Sequence, residues 1–338
     1  MARWCLPPSL VTPLTVAAVP WLLGGCSGSA GADAEAADDA IVVSPRGNDS
    51  ASGNAAAPFR SLKRALATAK SGSTIRLESG TYAAESGETW DYELPSNITL
   101  LGEDTATTIL AAPATSTDGA VLKAFRASGD LRLQKLSLIG FQHSLDVEVT
   151  AQVEIDDAEL HGDVFINAAG SSLTLERVSI EGKNAAINFF GESLSIADSE
   201  LHAGTGSYGI SLRSGTLSLM SSSVEGGNYG VYQLAGASRL RQARIIDFGS
   251  VGFYLAAGSL DLGSATESGD NAFEGRANTE AFGLYVDTGT APVTCSNTSF
   301  NGVVPPAGTV QADTADVSEP HQYVITPGQS VQFFDAAK

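Results

Sequence analysis

Between Leu131 and Leu262 the chain alternates apolar and polar residues over short stretches, and the same stretch returns at nearly constant intervals. Taking the first apolar residue of each copy as its anchor gives Leu131, Val153, Leu173, Leu194, Leu217, Leu240 and Leu260, separated by 22, 20, 21, 23, 23 and 20 residues. Within a copy the order is apolar, any, apolar, a short break, a third inward position, then an apolar residue seven places after the anchor: Leu138, Leu160, Ile180, Leu201 and Val224. A period of two puts alternate side chains on opposite faces, so these are strands. Copies close on Gly170, Gly191, Gly215, Gly236 and Gly258, where a tight turn can take a positive φ without a Cβ clash. A unit this short holds two or three strands and cannot bury its own apolar face, so it must stack on its neighbours. The predicted fold is all-β, a right-handed parallel β-helix. A leucine-rich repeat shares the period but requires a regular Asn and a helix-compatible outer segment in each copy, and neither is present.

Before the repeat, Ile41 to about residue 112 predicts a cap and the first, irregular coils, among them Ile98-Thr99-Leu100-Leu101 and Thr108-Ile109-Leu110. Pro58 sits where a helix can begin, and Phe59, Leu62, Leu66 and Ala69 share one helical face. An open first coil exposes backbone groups and apolar stacks, so an N-terminal amphipathic helix is the expected lid. The coils then run over 113–303, after a polar break from Pro113 to Gly119. Register slips after Leu262, with Gly252 and its equivalent Gly283 separated by 31 residues, which predicts an inserted loop near 263–280. A tail over 304–338, with one strand at Tyr323 to Thr326 and an apolar end at Val331, Phe333 and Phe334, is expected to cover the last coil.

The stretch Val43-Ser44-Pro45-Arg46-Gly47-Asn48-Asp49, then Pro58-Phe59-Arg60-Ser61-Leu62, Ala65-Leu66 and Ser73-Thr74-Ile75, resembles the domain of unknown function that opens many bacterial pectate-lyase-like β-helices. The resemblance covers Ile41 to about Gly102, and the segment Ala291 to Phe300 resembles the final coil of that group. Residues 1–25 read as a targeting segment, with Arg3, an apolar run from Leu10 to Leu23, and Leu23-Gly24-Gly25-Cys26. That tetrapeptide is similar to the lipobox of bacterial lipoproteins, which implies lipidation of Cys26, export, and anchorage at the outer membrane or cell surface. Residues 26–40, rich in Gly, Ala, Ser and Asp, form a flexible tether.

The formal charge is −19, and removal of Arg3 with the leader makes it −20. So acidic a chain repels nucleic acid and anionic lipid heads, leaving cations and glycans as partners and the N-terminal lipid as the membrane contact. Of three cysteines, Cys5 leaves with the leader and Cys26 carries lipid, so Cys295 has no internal disulfide partner.

The resemblance to pectate lyases and polygalacturonases implies an enzyme on acidic polysaccharide, yet fold is a weak warrant for chemistry. Asp156-Asp157 before His161-Gly162 has the residue types of a polygalacturonase site at too short an interval, with no Asn-Thr-Asp or Arg-x-Lys partner segment; adjacent acids between strands also suit a solvated turn. Lys183 and Arg213 would serve as lyase bases only if acids surround them. The favoured class is a non-catalytic glycan-binding or surface-interaction module. Polysaccharide lyase or glycoside hydrolase is the alternative, and a purely structural envelope protein the second.

Two outward columns carry candidate chemistry. Sixth and eighth places after the anchors hold Glu159, His161, Glu181, Glu200, His202 and Glu225, which stacking would bring close enough to attract a divalent cation such as Ca²⁺, or would leave as a solvated face. In Tyr208-Gly209-Ile210, Tyr229-Gly230-Val231, Val251-Gly252-Phe253 and Phe282-Gly283-Leu284, the residue after glycine is always apolar and faces in. The next column then faces out and reads Ser211, Tyr232, Tyr254, Tyr285. These three tyrosines form a ladder that either receives the apolar faces of pyranose rings from a polysaccharide or envelope glycan, or stacks upon itself.

Overall fold

Strands of successive coils pair in parallel and in register, which is the geometry period-two alternation demands once each coil's core face must rest on the next. The computed structural model describes residues 40–113, 121–287, 290–312, 316–317 and 322–335. Across them the chain winds as a right-handed parallel β-helix of about nine turns. Residues 1–39, which hold the expected leader, Cys26 and nearly all of the expected tether, lie outside the described residues.

The innermost column shows why the stack holds. Ile75, Leu100, Leu133, Ile155, Leu175, Ile196 and Leu219 follow one another in register, and each is at most 1% exposed. Burying each such side chain contributes roughly 1.5–3 kcal/mol. Leu240 pairs with Leu219, so it belongs to this column and not to the anchor column in which its apolar character had placed it. The anchor of that coil is Ser238, paired with Leu217 on one side and Leu260 on the other. A buried serine is stable there because Gln233, itself fully buried, accepts its hydroxyl at 2.6 Å. Gln233 Nε2 donates in turn to the carbonyls of Gly236 at 3.0 Å and Ala257 at 3.1 Å.

After its first strand each coil turns a corner on one left-handed residue. Lys135, Asp157, Arg177, Asp198, Ser221, Gln242, Asp270 and Asn297 all have φ between 45 and 55°. The residue after the corner points inward, and where it is polar it caps the previous coil: Ser199 Oγ accepts from Val178 N, Ser222 Oγ from Ser199 N, and Asn271 Oδ1 from Ala243 N. The glycines that close copies behave as expected at Gly215, Gly236 and Gly258, whose φ values are 87, 100 and 100°. A Cβ on Gly236 would lie 1.9 Å from the Gly215 carbonyl oxygen, so close backbone approach also fixes the residue type. Gly191 lacks a positive φ and lies within the strand Ala185–Ala197.

At the N-terminal end the expected lid is built differently. The helix spans only Leu62–Leu66, and Phe59 is extended, bridging Val43 in parallel. The free edge of the first strand, Ile41–Val43, is taken by chain, with Val42 N donating to Gly53 O at 2.7 Å and Ser44 N to Phe59 O at 2.8 Å. Asp49 holds this segment by accepting from Arg60 N, Ser61 N and Ser61 Oγ at 2.8–2.9 Å. Gly47 is needed because a Cβ would meet Phe59 O at 2.3 Å. The motif that opens the chain is thus a set of backbone locks.

The presumed insertion over 263–280 contains a regular strand, Ala272–Gly275, paired with Arg244–Phe248 and Ser299–Phe300. The loop before it is stapled by Glu267 to Arg239 and Arg241. In the tail, Tyr323–Ile325 and Ser330–Phe334 continue the coils in parallel, while Gly308–Gln311 runs antiparallel to Ser330–Phe334. Cys295 takes a core position between Leu262 and Phe333, and burial pushes its thiol up to about 12.

Candidate functional site

The third strand of each coil forms the face of interest. In it, Leu145, Val164, Ile187, Ile210, Val231, Phe253 and Leu284 stack inward in register, all fully buried. Alternation then sends the following residue outward, and that column reads Asp146, Phe165, Asn188, Ser211, Tyr232, Tyr254 and Tyr285. The tyrosine ladder is therefore the C-terminal half of a longer file of side chains.

The ladder exists as a stack of rings. Tyr232 and Tyr254 lie 4.9 Å apart at 16°, Tyr254 and Tyr285 4.8 Å apart at 10°, and Tyr208 and Tyr229 join from the column beside them at 5.1 and 5.3 Å from Tyr232. Tyr254 carries a ring on each face and Tyr232 is met by Tyr254, Tyr208 and Tyr229, so the expected stacking of pyranose faces on Tyr232, Tyr254 and Tyr285 is blocked along the middle of the ladder. What the ladder offers outward is ring edges and hydroxyls. The Tyr254 hydroxyl donates to Asp287 Oδ2 at 2.7 Å; burial first, then this bond and charge, push its ionisation well above the usual phenol range.

At the N-terminal half of the file lies a groove of about 300 Å³. Its floor is a polar triplet drawn from two coils: Asp146, 5% exposed, is ion-paired with Lys123, and its Oδ1 lies 2.9 Å from His143 Nδ1. Burial raises the Asp146 carboxyl, but the bonds from His143 and Lys123 outweigh it and hold the group below the usual carboxylate range. The His143 ring packs on Phe165 at 4.4 Å. On the rim, Phe190 is 37% exposed with the Arg213 guanidinium 5.8 Å from its ring centre, and Asn167 and Asn188 add amides. Of the two lyase-base candidates, Arg213 reaches this groove, whereas Lys183 sits in a turn whose backbone N–H donates to buried Asp163.

Lys123, His143, Asp146, Phe165, Asn188 and Phe190 escaped the sequence reading. For Asp146, Phe165 and Asn188 the signal is the tyrosine pattern followed backwards: Leu145-Asp146-Val147, Val164-Phe165-Ile166 and Ile187-Asn188-Phe189 have the same apolar, outward, apolar phase.

The other two candidates resolve as ion pairs. Asp157 is a corner residue, and Arg177 binds both Asp156 and Asp157, so no carboxylate pair faces a bond to be cleaved. His161, Glu181, His202 and Glu225 stack in register as foreseen. His161 takes Glu159 at 2.8 Å and Glu181 at 3.3 Å, and His202 takes Glu225 at 3.3 Å. Histidine thus alternates with acid, Glu200 stands in the adjoining column, and among the described residues no three metal-ligating groups converge.

Residues 45–303 match the family described as Protein of unknown function (DUF1565). The chain belongs to this family. The match extends well past the N-terminal module in which the resemblance was seen and takes in nearly all the coils. No curated protein matches the chain. Among solved structures it is similar to pectate lyase Pel9A, at 13% identity over 89% of this chain and 80% of that one, with a TM-score of 0.40. It is also similar to the periplasmic alginate epimerase AlgG, at 10% identity over 82% of each chain and 0.38. The catalytic domain of a GH87 alpha-1,3-glucanase in complex with nigerose gives 14% identity over 71% of this chain and 0.36, and the chain spans 51% of that domain's length.

Proposed function

We propose that the protein is an envelope-tethered glycan-binding module whose contact site is the groove between Lys123 and Arg213. The observation that carries this reading is an exposed aromatic ring, Phe190, beside two amides and a guanidinium on one rigid sheet face. Sugars present an apolar ring face edged with hydroxyls, which suits an aromatic flanked by hydrogen-bonding groups. Hydrolysis is disfavoured because it requires two available carboxylates across the bond. Asp146 is buried and committed to Lys123 and His143, which leaves Glu148 as the remaining acid of the groove.

A second reading rests on Lys123, His143 and Arg213 sharing the groove: a lyase acting on acidic polysaccharide would use a cation to neutralise a uronate and a neighbouring base to take its proton. Binding of polysaccharides by wild type and Phe190→Ala, with product release followed on the same samples, separates the readings. Binding lost in the variant without product supports the module; released oligosaccharide favours the enzyme; neither leaves a structural envelope protein. Tethering rests on Leu23-Gly24-Gly25-Cys26, and mass spectrometry of the mature N-terminus tests it: a diacylglyceryl Cys26 is expected, and an unmodified later start refutes it.

A further inference from the structure

The groove and the tyrosine ladder occupy one file of outward side chains, in unbroken register from Asp146 to Tyr285. From Phe165 to Tyr285 the file advances five strand spacings, about 24 Å at ~4.8 Å each. Such a length exceeds what a mono- or disaccharide covers. The file is also uncharged from Phe165 onward, in a chain of formal charge −19.

We propose that the ligand is a polysaccharide bound lengthwise, its end seated in the groove and its continuation lying along the edge of the tyrosine stack. This rests on the groove being a glycan site. Phenol hydroxyls recur at the ring spacings of 4.9 and 4.8 Å, close to the length of one pyranose unit in an extended chain, so each unit meets the same donor and acceptor as the last. The hydroxyls of Tyr232 and Tyr285 have no protein hydrogen-bond partner among the described residues, while Tyr254 is aimed by Asp287. Mutual stacking fixes all three rings without a ligand, which lowers the ordering cost of binding. Beside the ladder, Leu234 is 42% exposed and directly follows Gln233, the last residue of its strand, as Arg213 follows Leu212 one coil earlier, giving the track an apolar shoulder.

The ladder therefore sets dependence on chain length, and the groove sets recognition of the end. Calorimetry with cello-oligosaccharides and with oligogalacturonides, each from dimer to octamer, tests this on wild type and on the triple variant Tyr232→Phe, Tyr254→Phe, Tyr285→Phe. The variant keeps every ring and removes only hydroxyls, so its thermal midpoint serves as the folding control. Wild type is expected to bind the longer members of one series about tenfold more tightly than the trimer, and the variant to lose that increment while binding the trimer as before. Equal affinity for trimer and octamer, or an increment that survives in the variant, overturns the track while leaving the groove as a glycan site. No binding at any length in either series removes the glycan reading itself.

Discussion

Replacing Gln233 by leucine gives the most informative test of the core. The change restores an apolar column, because Gln233 lies in register between Leu212 and Leu255, so a simple hydrophobic account predicts stabilisation. The hydrogen-bond account predicts the opposite. Gln233→Leu strands the Ser238 hydroxyl and removes the donor to the Gly236 and Ala257 carbonyls, all within a site that is 0% exposed at Gln233. Gly236 O keeps Ser259 N as a donor, so two groups lose their partner; at about 2 kcal/mol each, against about 1–2 kcal/mol returned by added methyl burial, the net loss is roughly 2–3 kcal/mol. Adding Ser238→Leu removes one stranded hydroxyl and rebuilds the anchor column between Leu217 and Leu260. The double variant should therefore recover about 1 kcal/mol of that loss, a coupling of the size seen for contacting residues. Urea unfolding followed by circular dichroism measures all four corners of the cycle. A single Gln233→Leu variant at least as stable as wild type, or a double variant showing no recovery, would refute the reasoning.

Three further outcomes are expected. Titration of wild type with Ca²⁺ or Zn²⁺ should give no saturable heat, since His161 and His202 are engaged by Glu159, Glu181 and Glu225; a saturable heat abolished by Glu181→Gln would restore the cation stripe. Asp49→Ala should lower stability by roughly 2 kcal/mol through its three bonds to Arg60 and Ser61, and unchanged urea midpoints would disprove the lock. Glu88 and Asp261 should show opposite pH signatures. Burial raises Glu88 above its ordinary 4.5, so its contribution is lost as pH rises from that value through the raised one, and Glu88→Gln should flatten that part of the profile. Asp261 is desolvated too, but its bonds from Arg241 and Gly263 win and depress it, so its stabilisation holds above 3.8 and is lost as pH falls through the lowered value; Asp261→Asn should flatten the acid limb, and parallel profiles for wild type and variant would contradict this.

The fold was legible because burial acts on every second residue of a strand, and twenty-odd residues per coil repeat that choice. It became illegible where a polar pair replaces an apolar one: Ser238 broke the anchor column, and its compensation came from Gln233, which no hydropathy pattern marks as a core residue. The N-terminal helix was overestimated for a related reason. Phe59 shares a helical face with Leu62, but Asp49 draws the Arg60 and Ser61 N–H groups out of any helix that would begin at Pro58. At the candidate site the column of Tyr232, Tyr254 and Tyr285 was readable, whereas ring orientation was not, because it depends on contacts between coils. Lys123, His143 and Asp146 come together only through the register of Lys123–Ala127 with His143–Val147, and Lys123–Ala127 lies ahead of Leu131, the first anchor of the repeat.

The left-handed corners give this molecule an unused margin for thermal hardening. A non-glycine residue in that conformation carries a penalty of about 1–2 kcal/mol, which Asn and Asp partly escape by local hydrogen bonding. Four of the corners already hold Asp or Asn, Arg177 is committed to its acids, and Ser221 donates to Gln242 across coils, but Lys135 has no such relief. Exchanging Lys135 for Asn relaxes this corner without disturbing the bond that joins Ser221 to Gln242. Because no corner belongs to the groove or the tyrosine file, the wall of the solenoid can be made more heat-resistant there while the face proposed to meet a glycan is left as it is.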